Sequence, residues 1–468
     1  MSQLPTSFCT EMFALLGEHE ATRLLNALQN TEAVTSIRIN HDKWTDESLP
    51  LFDADSLTSV PWSDTGFYLT KRPKFTLDPL FHAGCYYVQE ASSMFVEQVF
   101  RQYINGDAVT MLDLCAAPGG KSTHARSLLP AGSLLVANEV VRQRAQILAE
   151  NLTKWGNPNV AVTHNLPADF ASLPHFFDVM LTDVPCSGEG MFRKDAVAVS
   201  EWSEANVTQC WQRQRQIIGD VWEALKPGGL LIYSTCTFNT RENEENIRWI
   251  CSELGAEVLP LDVPSEWNIT GNLLAGETFP VYRFLPHKTH GEGFFLALLR
   301  KEGDAVSSQP VTSSQQLSGQ RVKSAKAGKK QPKRSDSLAF PPELLSKIDV
   351  ERWESCRTIL SPFLEKAGGL RVLQAGVSPG EQKGKDFIPS HALAMSNLLR
   401  RETFPNEELS PEQAIAYLRH EAIVLPPGTP RGYVLVTYQN TPLGFVKNVG
   451  NRANNLYPSE WRIRNVTL

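Results

Sequence analysis

The sequence predicts an α/β protein. A doubly wound, Rossmann-like parallel sheet is expected at 76–301, a small α+β region before it at 1–75, and a β-rich domain after it at 340–468. Three observations carry this expectation. From Val109 to Lys301, apolar strand-like runs alternate with helical patterns, as in strands joined by crossover helices. At 302–339 the chain is rich in Ser, Gln and Lys and nearly free of large apolar residues, which reads as a solvated linker. Near the C-terminus two strand-like runs, Tyr433–Tyr438 and Leu443–Val449, flank a turn expected at Gln439–Pro442 and read as a hairpin. The length of 468 residues agrees with about three domains at roughly 150 residues each.

Taken in order, the first region offers one short strand-like run, Ser36–Asn40. The central region opens with a strand at Val109–Cys115, a glycine turn, and a helix over Lys121–Leu129. A second strand follows at Ser133–Glu139. The next helix sets Ile147, Leu148, Asn151, Leu152 and Trp155 mostly on one face, and Gly156 stops it. Val160–Thr163 and Asp178–Asp183 are the third and fourth strands. A long helix repeats Val207, Trp211, Ile218, Trp222 and Leu225, with Pro227-Gly228-Gly229 expected to end it before the fifth strand at Leu230–Thr235. These apolar stripes read as core. In the last domain, Ser410-Pro411 is a helix start, with Ser as cap and Pro at the first helical position.

Composition narrows the class. Hydrophobic residues make up 42% and charged residues 21%, a globular balance that argues against global disorder. No run of about 18 apolar residues is present, so no membrane partner is expected. The N-terminus lacks a basic segment followed by an apolar core, so a cytoplasmic protein is expected. The net charge of −6 gives no sign of a nucleic-acid partner, so any RNA contact must come from a local basic surface. The linker cluster of Arg321, Lys323, Lys326, Lys329, Lys330, Lys333 and Arg334 is either a charged tether or a sequence-blind phosphate contact.

Chemistry concentrates at strand ends. The loop Cys115-Ala116-Ala117-Pro118-Gly119-Gly120-Lys121 follows the first central strand and opens a helix. Its glycines allow close backbone approach, and the helix start supplies free N–H groups. Glu139, at the end of the next strand, stands where a doubly wound sheet places a ribose-binding carboxylate. Cys115–Ser122 also matches a phosphate-binding Walker A loop except for its first glycine, and Asp183 stands where a Walker B acid would. Pro118, however, removes a backbone donor from such a cradle. Nucleoside site, phosphate loop and plain structural turn are all open on this loop alone.

Cys186 and Cys236 each follow an apolar strand and sit among small polar residues. If strands four and five are neighbours, both thiols and Asp183 converge on one crevice beside the glycine loop. Thiols so placed are nucleophile candidates. Cys9, Cys85, Cys210, Cys251 and Cys356 read as buried small residues. No further ligand lies at metal spacing, so no metal is expected.

The segments CAAPGGK, DVPCSGEGMFRKD and YSTCTFNTRENEENI resemble the signature motifs of the bacterial RNA (cytosine-5-)-methyltransferase family. YYVQEASSM (Tyr86–Met94) and RFLPHKTHGEGFFLALLRK (Arg283–Lys301) resemble the segments that open and close its catalytic domain. Including the C-terminal part, the resemblance is to the branch that modifies 16S ribosomal RNA. It covers the catalytic region almost continuously and the C-terminal part more loosely, and it weighs against the NTPase reading.

The resemblance implies an S-adenosylmethionine-dependent methyltransferase domain and a C-terminal PUA-like RNA-binding domain, with RNA grip also from the N-terminal region. It implies Cys236 as nucleophile, Cys186 as the thiol that helps release product, and Asp183 as a partner of the cytosine edge. Cys115, Ala116, Ala117, Pro118, Gly119, Gly120, Lys121, Glu139, Asn165 and Asp183 are the implied cofactor contacts. Asn165 stands where many relatives have Asp beside the adenine. The implied partner is 16S ribosomal RNA or the small ribosomal subunit, with transfer RNA as the alternative substrate, and a monomer is expected. Arg431, Lys447, Arg452 and Tyr457 fall in or near the C-terminal hairpin and are candidates for an RNA-facing rim. Cutting the linker near Ser318 is expected to leave a catalytic unit that folds and binds cofactor normally but RNA poorly.

Overall fold

The computed structural model describes residues 4–43, 57–303, 340–384 and 386–464. The linker at 302–339 and its basic cluster therefore lie outside the described residues, except for Glu302 and Gly303.

The N-terminal part starts with a long helix, Thr6–Asn30, kinked at Gly17. An antiparallel sheet follows, with strands β1 (Thr35–Ile39), β2 (Leu57–Ser59), β3 (Gly66–Leu69) and β4 (Tyr86–Val88) in the order β2-β3-β1-β4. Its last strand comes from the Tyr86–Met94 segment, so this small sheet leads directly into the catalytic region.

The central sheet has five parallel strands. They are β5 (Thr110–Asp113), β6 (Leu134–Asn138), β7 (Val160–Thr163), β8 (Phe177–Asp183) and β9 (Leu225–Thr235), in the order β9-β8-β5-β6-β7. The order reverses between β5 and β8, which opens a crevice at their carboxyl ends, the usual ligand position in such sheets. Strand β10 (Ala256–Leu259) pairs antiparallel with β12 (Phe294–Lys301), which pairs antiparallel with β9, while β11 (Tyr282–Phe284) pairs with β12 beyond its partnership with β10. Apart from the start of the fifth, the expected strands form within a residue or two of their predicted ends.

Two local expectations change. The Pro227-Gly228-Gly229 run does not precede the fifth strand; it is a bulge inside β9, where Leu225 pairs with Phe177 and Leu230 with Val179. The long helix accordingly stops earlier, at Glu204–Val221, and Leu225 belongs to the sheet. In the helix Arg142–Trp155, Leu148, Leu152 and Trp155 are buried as expected, but Ile147 is 48% exposed and faces outward.

The chain after the linker does not stay within the β-rich domain. Its helix Val350–Lys366 buries Cys356, Leu360, Phe363 and Leu364 in the same core as Leu112, Val136 and Phe177 of the central sheet. Strand β13 (Val372–Ala375) then pairs antiparallel with β7 and extends the central sheet. A two-stranded hairpin follows, β14 (Gly380–Lys383) with β15 (Asp386–Pro389). The terminal sheet contains β16 (Asn406–Glu408), β17 (Gly432–Tyr438), β18 (Thr441–Asn448) and β19 (Ala453–Asn455). The helix Pro411–Leu418 begins at Ser410 with a capping box to Gln413, as the sequence signal predicts. The β17–β18 turn is shorter than expected. Gln439 and Asn440 alone form it, both with positive φ, and Pro442 lies inside β18.

This terminal sheet and the N-terminal part share one core. Ile37, Leu80 and Tyr86 pack in a cluster with Tyr417, Val434 and Val446. The N-terminal part and the terminal sheet therefore pack against each other. Among the expected rim residues, Tyr457 is buried in this cluster and is core rather than surface.

Candidate active site

The glycine loop runs from β5 into the helix Gly120–Leu128. Gly119 is its N-cap with φ of 114°, a left-handed conformation that residues with a Cβ rarely adopt. The loop is braced from several sides. The amide of Ala116 donates to Asn138 O at 2.9 Å, and Asn151 Nδ2 donates to Pro118 O at 2.7 Å. Arg38, fully buried on β1, donates to Thr123 Oγ1 at 2.6 Å and to Gln89 Oε1 at 2.8 Å.

A pocket of about 160 Å3 lies against this loop. Cys115, Ala116, Ala117, Pro118, Gly120, Lys121 and Asp183 line it, together with Asp113 and Tyr87–Glu90 at the end of β4 and just beyond it. The pocket thus gathers most of the predicted cofactor residues. Gly119 shapes the loop from outside its wall. Glu139 and Asn165 are not on the wall either. Glu139, 3% exposed, accepts from Val141 N at 2.9 Å and lies 3.5 Å from an Arg144 nitrogen. Asn165, 5% exposed, commits its side-chain amide to the backbone of Arg371.

Asp113 is a residue the sequence reading missed. It is buried beneath the pocket; one carboxyl oxygen accepts from Ser122 Oγ at 2.7 Å, and the other has no partner. Burial, with further contributions from neighbouring charges, raises its pKa from 3.8 to about 7. An orphaned buried carboxyl oxygen on a pocket wall fits a ligand that brings a cationic group.

Asp183 ends β8 at the pocket rim. Its carboxylate accepts from Lys121 Nζ at 2.9 Å and from Ser234 Oγ at 2.8 Å. Burial works against the Lys121 ammonium, but the charge and hydrogen bond of Asp183 more than offset it, and the lysine pKa lies above its ordinary value.

The two thiols meet as the strand order predicts. Cys186 follows β8, Cys236 follows β9, and their sulfurs are 3.1 Å apart. The Cys236 amide lies 3.4 Å from Cys186 Sγ. The hydrogen bond with Cys236 and then burial push the Cys186 thiol well above its ordinary pKa, which keeps its proton on. Both residues are partly exposed, whereas Cys85, Cys210 and Cys356 are buried. Cys9 and Cys251, expected to be buried, are partly exposed at the edges of cores.

Behind the thiols lies a polar network that the sequence reading did not single out. Glu189 accepts from the amides of Phe238 at 2.6 Å and Asn239 at 3.1 Å, and from Trp202 Nε1 at 3.0 Å. Glu242 accepts from the Ser187 amide at 3.0 Å and from Gln214 Nε2 at 2.7 Å. Asn239 Nδ2 reaches both carboxylates. The two thiol-bearing loops are thereby tied to each other. Their backbones also touch: the amide of Gly190 donates to Cys236 O at 2.8 Å, and a Cβ on Gly190 would stand 2.9 Å from that oxygen. An acid shortly after each cysteine, in CSGEG and in TRENEEN, was the available signal.

No group of three His, Cys, Asp or Glu side chains among the described residues is arranged to hold a metal. No helix of the described residues is long and apolar enough to cross a membrane.

A doubly wound sheet with a glycine-loop pocket at its switch point, and two thiols beside it, defines an enzyme of the Rossmann-type methyltransferase class. Comparison with known proteins then identifies the family. Residues 104–300 match the model for 16S rRNA methyltransferase RsmB/F, 4–91 that for the N-terminal domain of 16S rRNA methyltransferase RsmF, and 404–463 that for the methyltransferase RsmF PUA domain. Ribosomal RNA small subunit methyltransferase F of Erwinia tasmaniensis is 32% identical over 480 residues, spanning 97% of this chain and 96% of the relative. The protein of the same name from Klebsiella pneumoniae is 31% identical over 97% of this chain and 96% of its own length. A solved methyltransferase homologue from Pyrococcus horikoshii is 30% identical with a TM-score of 0.54, covering 64% of this chain and 95% of that one. The chain belongs to the RsmF branch of the RsmB/F 16S rRNA methyltransferase family.

Proposed function

We propose that this protein methylates carbon 5 of a cytosine in 16S ribosomal RNA, using S-adenosylmethionine as methyl donor and Cys236 as a covalent nucleophile. The observation that carries the reading is the pair of thiols 3.1 Å apart at adjoining strand ends, beside Asp183 and Lys121 at the mouth of the glycine-loop pocket. The small-subunit names of the relatives favour ribosomal over transfer RNA as substrate.

Bound S-adenosylmethionine supplies an electrophilic methyl group. The loop Cys115–Lys121 and Asp113 would hold its methionine end, Asp113 giving its unpartnered oxygen to the ammonium. Glu139, at the end of β6, would take the ribose.

Carbon 5 of cytosine is a poor nucleophile until a group adds at carbon 6. Cys236, its thiol proton released to solvent, attacks as the thiolate and forms a bond to carbon 6, and the opened 5,6 π pair makes carbon 5 nucleophilic toward the methyl group. Asp183, fixed by Lys121 and Ser234, hydrogen-bonds the cytosine edge and stabilises the activated ring. Cys186, once it has given its own proton to solvent, takes the carbon 5 proton onto its sulfur, the C–H electron pair re-forms the 5,6 double bond, and the bond from Cys236 to carbon 6 breaks with the sulfur leaving with its electron pair. A base in a helix must be turned out of its stack to reach these groups. The N-terminal sheet and the terminal β-rich domain, which share a core, would grip the flanking RNA. The protein is read as a cytoplasmic monomer.

The test separates the thiols. Each cysteine is changed to Ala, the protein is incubated with ribosomal RNA and cofactor, and the mixture is run on a denaturing gel. Cys186→Ala is expected to accumulate RNA-linked protein, and Cys236→Ala none. An adduct from Cys236→Ala but not from Cys186→Ala reverses the roles. Full activity in both variants refutes the covalent reading.

A further inference from the structure

The Asn165 side chain is occupied by a part of the chain that lies 206 residues away in sequence. Its Oδ1 accepts from the Arg371 amide at 2.8 Å, and its Nδ2 donates to the Arg371 carbonyl at 3.3 Å. The same carbonyl also accepts from the His164 amide at 3.0 Å. Three hydrogen bonds therefore meet on the backbone of one residue in the segment leading into β13, at the carboxyl end of β7.

These bonds continue to the cofactor side of the sheet. His164 Nδ1 lies 3.1 Å from Glu139 O. Asn138, at the end of β6, accepts from the Asn165 amide at 3.0 Å and from Thr163 Oγ1 at 2.9 Å. It donates to Asn165 O at 3.0 Å and Leu114 O at 3.1 Å. The loops that follow β5, β6 and β7 are thus joined through Asn138, and Arg371 is plugged into them through Asn165.

The choice of amide over acid at position 165 has a chemical consequence. The backbone of Arg371 presents one donor and one acceptor. An asparagine matches both. An ionised aspartate would satisfy the donor but set its second oxygen against a carbonyl at hydrogen-bond distance, two buried acceptors with no proton between them.

We propose that Asn165 is a positioning residue that latches the Leu370–Ala375 arm to the cofactor edge of the sheet, so that cofactor affinity in this protein depends on the C-terminal part of the chain. This rests on the S-adenosylmethionine reading of the pocket. It also gives Asn165 a role other than contact with the adenine, and accounts for an amide at this position.

The experiment uses full-length Asn165→Asp and Asn165→Ala, each in two measurements across pH 5 to 8. Calorimetry reads S-adenosylmethionine affinity, and amide hydrogen exchange reads protection of residues 371–376. At pH 8 both variants are expected to lose protection in the arm and to bind cofactor about tenfold more weakly, the loss of roughly one net hydrogen bond. As the pH falls and the introduced carboxylate takes up a proton, its hydroxyl can donate to the Arg371 carbonyl, so N165D is expected to regain both protection and affinity relative to wild type. N165A, with no group to protonate, is expected to regain neither.

Weakened affinity with the arm still protected would make Asn165 a direct cofactor contact and overturn the proposal. Lost protection with unchanged affinity would show the arm to be uncoupled from the pocket, and would overturn it as well. The absence of acid recovery in N165D would reject the amide-specific latch. If wild-type protein itself fails to bind S-adenosylmethionine, the cofactor reading fails, and the exchange data still decide whether the latch exists.

Discussion

Asp113→Asn is the perturbation whose outcome the structure fixes most closely. Asp113 is 1% exposed, its one hydrogen-bond partner is Ser122 Oγ, and burial raises its pKa from 3.8 to about 7. An acid whose folded pKa is raised holds its proton longer in the native state than in the unfolded chain. Between these two values the native state binds more protons, so stability falls as pH rises. The cost is absent below the unfolded value and complete above about 7. At about 1.36 kcal/mol for each pH unit, the interval comes to roughly 4 kcal/mol. Asparagine carries no such charge but leaves its own NH2 group unpaired, a constant cost of about 1–3 kcal/mol. In urea unfolding of the two proteins, the variant should be the less stable at pH 4. Its deficit should shrink steadily, and the order should approach or pass equality by pH 8. Parallel stability curves across this range would refute the reasoning, since they would show that Asp113 keeps the same charge folded and unfolded. Saturating S-adenosylmethionine should flatten the wild-type curve, because its ammonium would compensate the buried carboxylate.

Three further outcomes follow from the geometry. Cutting the chain near Ser318 removes β13 and the helix that buries Leu360 and Phe363, so the fragment at 1–318 should be insoluble or unfold at least 10 °C below the intact protein by calorimetry; a fragment of native stability that binds cofactor normally would contradict the shared core. Gly190→Ala places a methyl group 2.9 Å from Cys236 O, which should part the thiol loops and lower turnover at least tenfold, while S-adenosylmethionine affinity by calorimetry stays within about twofold. Glu139→Ala should weaken that affinity by roughly 1.5–3 kcal/mol, the worth of a hydrogen bond to a charged acceptor; unchanged affinity would remove Glu139 from the site.

Much of the site was legible because its chemistry is local in sequence. Each of CAAPGGK, DVPCS and STCT follows an apolar run, and a doubly wound topology brings the ends of neighbouring strands together without further information. The supporting network was harder to see. Glu189 and Glu242 are buried only because the loops fold back on one another. The β13 pairing was invisible for a different reason. Val372–Ala375 is four residues long, and nothing near it in sequence says that the edge of β7 is open to receive it. Tyr457 and Ile147 failed in opposite directions for the same cause: whether an apolar or amphipathic side chain faces inward depends on partners from distant parts of the chain. A Pro227-Gly228-Gly229 run ordinarily marks a helix stop, but strand pairing on both sides of it makes it a bulge.

The shared core of Ile37, Leu80 and Tyr86 with Tyr417, Val434 and Val446 also sets a timetable for biosynthesis. The residues that open this cluster leave the ribosome about 360 residues before those that complete it. At 5–20 residues per second, the early half waits on the order of 20–70 s with its apolar face uncovered. The catalytic sheet is translated within that interval, but its edge at β7 also waits for β13. The nascent protein thus passes through a stage in which the thiol loops can form while both ends of the molecule remain unfinished. Contacts of such wide sequence separation carry a large loop-closure cost and form slowly. A stop codon before Tyr417 would therefore release a chain whose beginning, as well as its end, is incompletely folded.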